Sequence, residues 1–199
     1  MTTRRGLIFI ISAPSGVGKS TLARSIVTKN RRFAHPVSYT TREARPQEKN
    51  GKDYRFVTIG QFERLWQEGC FLERAVVHGA HYATSKQEVE KLLSRNKYAL
   101  LTIDVQGARS VHGAYPEESV RVFLLPPSKK IWRQRLKTRG EKNLAQRMAN
   151  AQAEINELPR FDYCLINDQF EATVKDFFTI VRAEELRRLK NNVKRLAIA

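Results

Sequence analysis

The stretch IFIISAPSGVGKST, Ile8 to Thr21, decides the fold. An apolar run of one strand's length passes into small residues and then into Gly18, Lys19, Ser20 and Thr21. A buried parallel strand that ends in a phosphate-binding loop and opens a helix has this order, G-x-x-x-x-G-K-[ST]. Ala13 stands where the first glycine of the pattern belongs. A methyl group is tolerated there if the residue keeps an ordinary negative φ. Gly16 and Gly18 permit close approach and unusual φ values. An ordinary glycine-rich strand-to-helix turn is the plainer alternative.

Working outward, further apolar runs recur at GLIFIIS, YALLTID, SVRVFLL and FDYCLIN, each short, continuous and followed by a polar or Pro/Gly-containing turn. Continuous rather than alternating runs predict strands covered on both faces. Helical spacing is predicted over 21–29, 85–95, 128–138, 144–158 and 170 to about 196. Strand alternating with helix gives an α/β core with a mostly parallel sheet flanked by helices. From 32 to about 83 the rhythm breaks into β-rich pieces (HPVSY, YRFVT, FLERAVV), a helix near 61–68 and the polar loop TTREARPQEKNGKD. This reads as an insertion that builds its own small sheet, with no Gly/Ser-rich linker to separate it. Residues 1–199 are therefore expected to form a single domain.

The chain of 199 residues is 41% hydrophobic, enough for one buried core. No run spans a bilayer and MTTRRG leads straight into the first strand, so a cytoplasmic protein without a membrane partner is expected. Cys70 and Cys164 fit no metal or redox spacing and read as reduced packing residues. The charge is +16, from 36 Lys and Arg against 20 Asp and Glu, which favours phosphate-bearing partners without choosing among nucleotide, nucleic acid and anionic membrane. Much of the surplus sits in the last helix, RAEELRRLKNNVKRLAIA, and reads as a solvated face.

A phosphate loop binds ATP or GTP and does not name the acceptor. In VSYTTREARPQEKNGKDYRF, Ser38, Arg42, Arg45 and Tyr54 lie close in sequence and could enclose one phosphate through charge-assisted hydrogen bonds; a solvated basic loop is the commoner meaning of such residues. These residues resemble the guanylate kinase family. The resemblance runs over nearly the whole chain: SAPSGVGKST, S-x-T-T-R-x-x-R-P at Ser38 to Pro46, NGKDYRFV, FLERAVVHGAHYATS, TIDVQGA, FLLPPS and IND. It implies a P-loop NTPase core (1–31, 84–134 and 148–199), a GMP-binding insertion (about 32–83) and a lid (about 135–147). It implies that Ala13, Pro14, Ser15, Gly16, Val17, Gly18, Lys19, Ser20, Thr21 and Asn167 hold ATP, with Ser20 offering a hydroxyl to Mg²⁺. Ser38, Arg42, Arg45, Tyr54 and Tyr82 would hold the GMP phosphate, and Glu73, Thr84 and Asp104 the guanine. Guanine presents N1–H and N2–H₂ donors that want a carboxylate and an O6 acceptor that wants a hydroxyl. Lys19, Arg42, Arg45, Arg135, Arg139 and Arg147 would carry catalysis by alignment and charge neutralisation.

The activity implied is ATP-dependent phosphorylation of GMP, and of dGMP, by an enzyme of purine nucleotide metabolism. Three features depart from the family pattern: Ala13 in the loop, Thr102 where the family has the first aspartate of L-D-I-D, and a shorter, less acidic lid after Arg139 and Gly140. Two rival readings are a non-catalytic interaction domain of the same fold and a basic P-loop protein that binds nucleic acid. Lys19 and Ser20 speak against the first, and nothing in the acceptor motifs calls for the second. A homo-oligomer is allowed by the sequence and not specified by it.

Overall fold

The computed structural model describes residues 5–77, 79–138 and 144–196, without the side chains of 144–147, 149–150 and 190–196. His78, Arg139 and the lid segment 139–143 lie outside the described residues, as does the side chain of Arg147. The chain forms two compact units, Met1–Ser12 with Val27–Arg121, and Ala13–Ile26 with Val122–Ala199. It is a mixed α/β protein whose parallel strands are flanked by helices, as the alternation of apolar runs and helical spacing predicts.

In the first unit, strand β1 (Ile8–Ser12) and strand β2 (Phe33–Ala34) flank β7 (Tyr98–Leu101), all parallel, in register Ile8 with Ala99 and Phe33 with Tyr98. Every residue of β1 and β7 is buried, which is why both read as unbroken apolar runs. Phe9, Phe33 and Tyr98 close this core, Tyr98 edge to face with both phenylalanines and these tilted against each other, with centroids 5.0–5.4 Å apart. The same unit carries a second sheet in the order β4 (Tyr54–Phe56), β3 (Ser38–Thr40), β6 (Ala80–Ser85), β5 (Phe71–Val77). Phe33–Ala34 pairs with β7, so this second sheet begins at Ser38. Helix α2 (Ile59–Gln67) opens with a capping box, Thr58 accepting from the Gln61 N–H while the Gln61 side chain accepts from the Thr58 N–H. It lays fully buried Phe62 against Phe71 and Ala83. Helix α3 (Lys86–Ser94), capped by Ser85, leads through Asn96 at φ 54° into β7.

Helix α4 (Val105–Ala114) has no counterpart in the sequence expectation. Gly107 and Gly113 dilute its helical signal, and the Asp104 side chain that accepts from the Gly107 N–H supplies the start.

In the second unit, the part of α1 (Lys19–Lys29) up to Ile26 follows the phosphate loop directly and buries Leu22, Ala23 and Ile26. Val122–Leu125 of β8 (Ser119–Leu125) runs parallel to β9 (Tyr163–Ile166). Strand β9 buries Leu165 but leaves Cys164 and Ile166 exposed, so its apolar run is covered on one face rather than both, and Cys164 is a free exposed thiol rather than a packing residue. Helices α5 (Lys129–Thr138), α6 (Leu144–Asn156) and α7 (Phe170–Leu196) complete the unit. The predicted 144–158 helix stops at Asn156, where a 3-10 turn at Leu158–Arg160 with a proline takes over.

Phe62→Ala should cost about 3–5 kcal/mol in urea unfolding, because it empties the centre of the apolar layer under the second sheet.

Candidate active site

The donor half begins where β1 ends. Among the described residues Asn96 is the one non-glycine with positive φ, so Ala13 keeps the negative φ at which its methyl group costs nothing. Gly16 and Gly18 take φ of 81° and 109°, the left-handed turns that make successive N–H groups converge on one side of a loop. Ser15, Ser20 and Thr21 are exposed, Pro14 and Val17 are buried, and Lys19 starts the helix. Three side chains from later in the chain fasten this loop. The Trp132 indole N–H donates to the Ser15 carbonyl at 2.8 Å. The Asn167 amide N–H donates to the Val17 carbonyl at 2.6 Å. Arg135 donates to the Asn167 carbonyl at 3.0 Å. Arg135, read in the sequence as a lid arginine, thus sits on α5 beside Trp132 and bonded to the Asn167 backbone.

The residues expected to hold the acceptor gather mainly on the second sheet of the first unit. Directly opposed residues share a face, and Ser38 opposes Tyr54, Thr40 opposes Tyr82 and Glu73 opposes Thr84. Ser38, Tyr54, Tyr82, Thr84 and Glu73 therefore line one face, while Tyr39, Ala83 and Phe71 turn to α2. In a regular strand Phe71 and Glu73 would point the same way. The register shift between them sends Phe71 to the apolar layer and Glu73 to the polar face.

On that face Arg42 Nε donates to the Tyr82 hydroxyl at 3.2 Å, and its guanidinium carbon lies 5.6 Å from the Tyr54 ring centroid. The same guanidinium bonds Glu48 at 2.9 Å, and the other Glu48 oxygen accepts the Arg45 main-chain N–H at 2.8 Å. The Arg42 hydrogen bond, ahead of the Arg45 N–H, holds the Glu48 carboxyl below the usual carboxylate range. Burial lifts the Tyr54 phenol above its ordinary value. The Arg45 side chain is exposed.

Glu73 is 7% exposed and accepts the Thr84 hydroxyl at 2.5 Å. Burial pushes its carboxyl pKa up, the Thr84 hydrogen bond pulls against that, and the nearby charge of Asp104 adds to the rise. Asp104 caps α4, and fully buried Ser12 donates to the Ile103 carbonyl at 2.9 Å, with the Asp104 carbonyl at 3.3 Å. A Cβ on Gly107 would stand 3.1 Å from Glu73 Oε2, so the missing side chain gives the carboxylate its room. Thr102 is half-buried just beyond β7.

The guanylate kinase family model matches residues 5–184. The chain belongs to the guanylate kinase family. A guanylate kinase from Nitrosomonas europaea is 39% identical over 96% of both chains, and one from Vibrio vulnificus is 42% identical over 96% of this chain and 94% of its own. The crystal structure of guanylate kinase from Anaplasma phagocytophilum superposes with a TM-score of 0.72 at 34% identity, covering 92% of this chain and 88% of that one. This guanylate kinase is an enzyme that takes nucleotide substrates. Sequence reasoning missed Ser12, Glu48, Gly107 and Trp132 as parts of the site. A glycine early in a capped helix is the one local signal among them; the others depend on contacts that only folding creates.

Because the Glu73 pKa is raised in the folded state, the native protein holds its proton to higher pH than the unfolded chain does. Stability is then lost as pH rises from the ordinary carboxylate pKa through the raised one. Glu73→Gln should make the unliganded protein more stable at neutral pH, with the gain fading at acid pH where both forms are uncharged. Thermal unfolding across pH reads this directly.

Proposed function

We propose that this guanylate kinase moves the γ-phosphoryl group of Mg²⁺ATP to GMP, and to dGMP, by in-line transfer, with Ala13 to Thr21 cradling the donor phosphates and Ser38, Arg42, Arg45, Tyr54 and Tyr82 holding the acceptor phosphate. The observation that carries the base assignment is the buried Glu73 carboxylate bonded to the Thr84 hydroxyl on one face of the second sheet, with Asp104 close enough to raise its pKa. A carboxylate suits the N1–H and N2–H₂ edge of guanine, and a hydroxyl suits O6. Adenine offers the opposite pattern, and a buried carboxylate facing it would stay unpaired.

The phosphates meet convergent main-chain N–H groups, the positive end of α1 and Lys19. The metal enters with the nucleotide. Ser20, exposed on the first turn of α1, suits an ion held chiefly by phosphate oxygens, and the described residues contain no cluster of three His, Cys, Asp or Glu side chains that would hold one alone. Bound there, Mg²⁺ would neutralise charge on the phosphates. No covalent intermediate is needed. Arg42 aligns the acceptor phosphate while Glu48 and Tyr82 fix its fork. Arg135, Arg139 and Arg147 would neutralise the equatorial oxygens and help exclude water, a role that rests on the family resemblance.

On this reading 1–31, 84–134 and 148–199 form the core, about 32–83 the acceptor insertion and about 135–147 the lid. No helix among the described residues is long and apolar enough to cross a membrane.

Coupled ADP production with Mg²⁺ATP should show turnover on GMP and dGMP, with kcat/KM for AMP lower by about 10⁴-fold. Lys19→Ala should abolish it. Glu73→Gln should erode the preference for guanine more than it raises the KM for ATP.

A further inference from the structure

The geometry points to Trp132 and Asn167 as positioning residues that set the polarity of the phosphate loop. They hold its carbonyls outward so that its N–H groups face the anion. The inference rests on the phosphate-loop reading above.

A trans peptide points its C=O and N–H in opposite directions. The Ser15 carbonyl shares its peptide with the Gly16 N–H, and the Val17 carbonyl shares its peptide with the Gly18 N–H. Trp132 takes the first carbonyl and Asn167 the second, so each bond turns the following glycine N–H the other way. The two captured peptides are those that precede the two positive-φ glycines, where left-handed turns make N–H groups converge. A loop with both peptides flipped would present oxygens to a phosphate and repel it.

The close approaches agree with the hydrogen bonds. A Cβ at Gly16 would meet Leu136 Cδ2 at 2.6 Å, and one at Gly18 would meet Asn167 Nδ2 at 2.5 Å. At both positions the space a side chain would need is filled by α5 or by the Asn167 amide. The glycines are thus required on the outer side of the loop as well as for their backbone turns.

The clamps are themselves held. Trp132 is 3% exposed and Asn167 7%. The Val17 carbonyl can only accept, which puts the amide nitrogen toward it; the Thr173 hydroxyl, shared with the Gln169 and Ile166 carbonyls, lies 3.3 Å from Asn167 Oδ1, and Arg135 fixes the Asn167 carbonyl. With both ends of its amide engaged inside the protein, Asn167 serves the phosphates through the loop rather than through the base.

The test uses inorganic tripolyphosphate, which carries the phosphates without a base. Calorimetric titrations of tripolyphosphate, ATP and GMP would be run on the wild type, Asn167→Ala, Trp132→Phe and Lys19→Ala. Asn167→Ala should weaken tripolyphosphate and ATP by the same factor, about tenfold or more, and leave GMP affinity and the KM for GMP unchanged. Trp132→Phe keeps an aromatic ring while removing the donor, and should shift the same two affinities in the same direction. GMP binding reports that each variant is folded. Loss of ATP affinity with tripolyphosphate affinity intact would mean that Asn167 reads the base, and would overturn the proposal alone. So would unchanged affinities, or equal losses for GMP in a variant whose thermal unfolding matches the wild type. Wild-type protein that binds tripolyphosphate no better than Lys19→Ala would overturn the phosphate-loop reading itself.

Discussion

Main-chain N–H groups can face an anion only if the carbonyls of the same peptides face elsewhere and find donors there. That constraint organises the second unit. The loop after β1 meets it by spending two glycines on left-handed turns and by drawing donors from α5 and from the residue after β9. Strand β9, the turn after it and the packing of Trp132 and Leu136 can be understood as what delivers those donors to an unprotected stretch of backbone. A helix opening at Lys19 then adds the N–H groups of its first turn to the same place.

The first unit solves a different problem, that of holding a carboxyl group largely out of water. Glu73 retains one strong hydrogen bond, from Thr84, and room beside Gly107. Such a group is poorly satisfied until donors arrive, which makes it selective for what supplies them. The bulge that aims Glu73 is small, a single shift of register, yet without it the carboxylate would point into the layer formed by Phe62, Phe71 and Ala83. The irregular segment between β3 and β4 is pre-ordered by Glu48 bridging Arg42 and Arg45, by Asp53 accepting from the Lys49 N–H, and by Asn50 accepting from the Phe56 N–H. Less chain entropy then remains to be lost when a ligand binds.

Most of the fold was legible because buried parallel strands write themselves as unbroken apolar runs, as in IFIIS and YALL. The loop was legible because its glycines, lysine and serine are contiguous. Helix α4 was not, since two glycines interrupt its pattern and its start depends on a side-chain cap at Asp104. The face on which Glu73 lies could not be read, because a bulge is a property of pairing rather than of either strand. Phe33–Ala34 is too short to announce a strand and is made one by β7. Trp132 carries no site signal in the sequence, since its partner Ser15 lies 117 positions away. Asn167 was legible as a site residue through the family resemblance, but its bond to Val17, across 150 positions, was not.

The two halves place their chemistry in different parts of the chain's covalent structure. Around the phosphate loop the converging N–H groups belong to the backbone, which every residue other than proline supplies alike, with Lys19 and Ser20 adding side chains. Exposed positions such as Ser15 and Thr21 are free to change identity so long as φ and the outward carbonyls survive, and Ala13 already stands where a glycine was expected. On the second sheet the recognising groups are side chains, each lost or altered by a single codon change. Mutational drift at the exposed loop positions would therefore leave phosphate holding intact as long as Lys19, Trp132 and Asn167 survive, whereas on the second sheet each lining side chain is itself a point of loss.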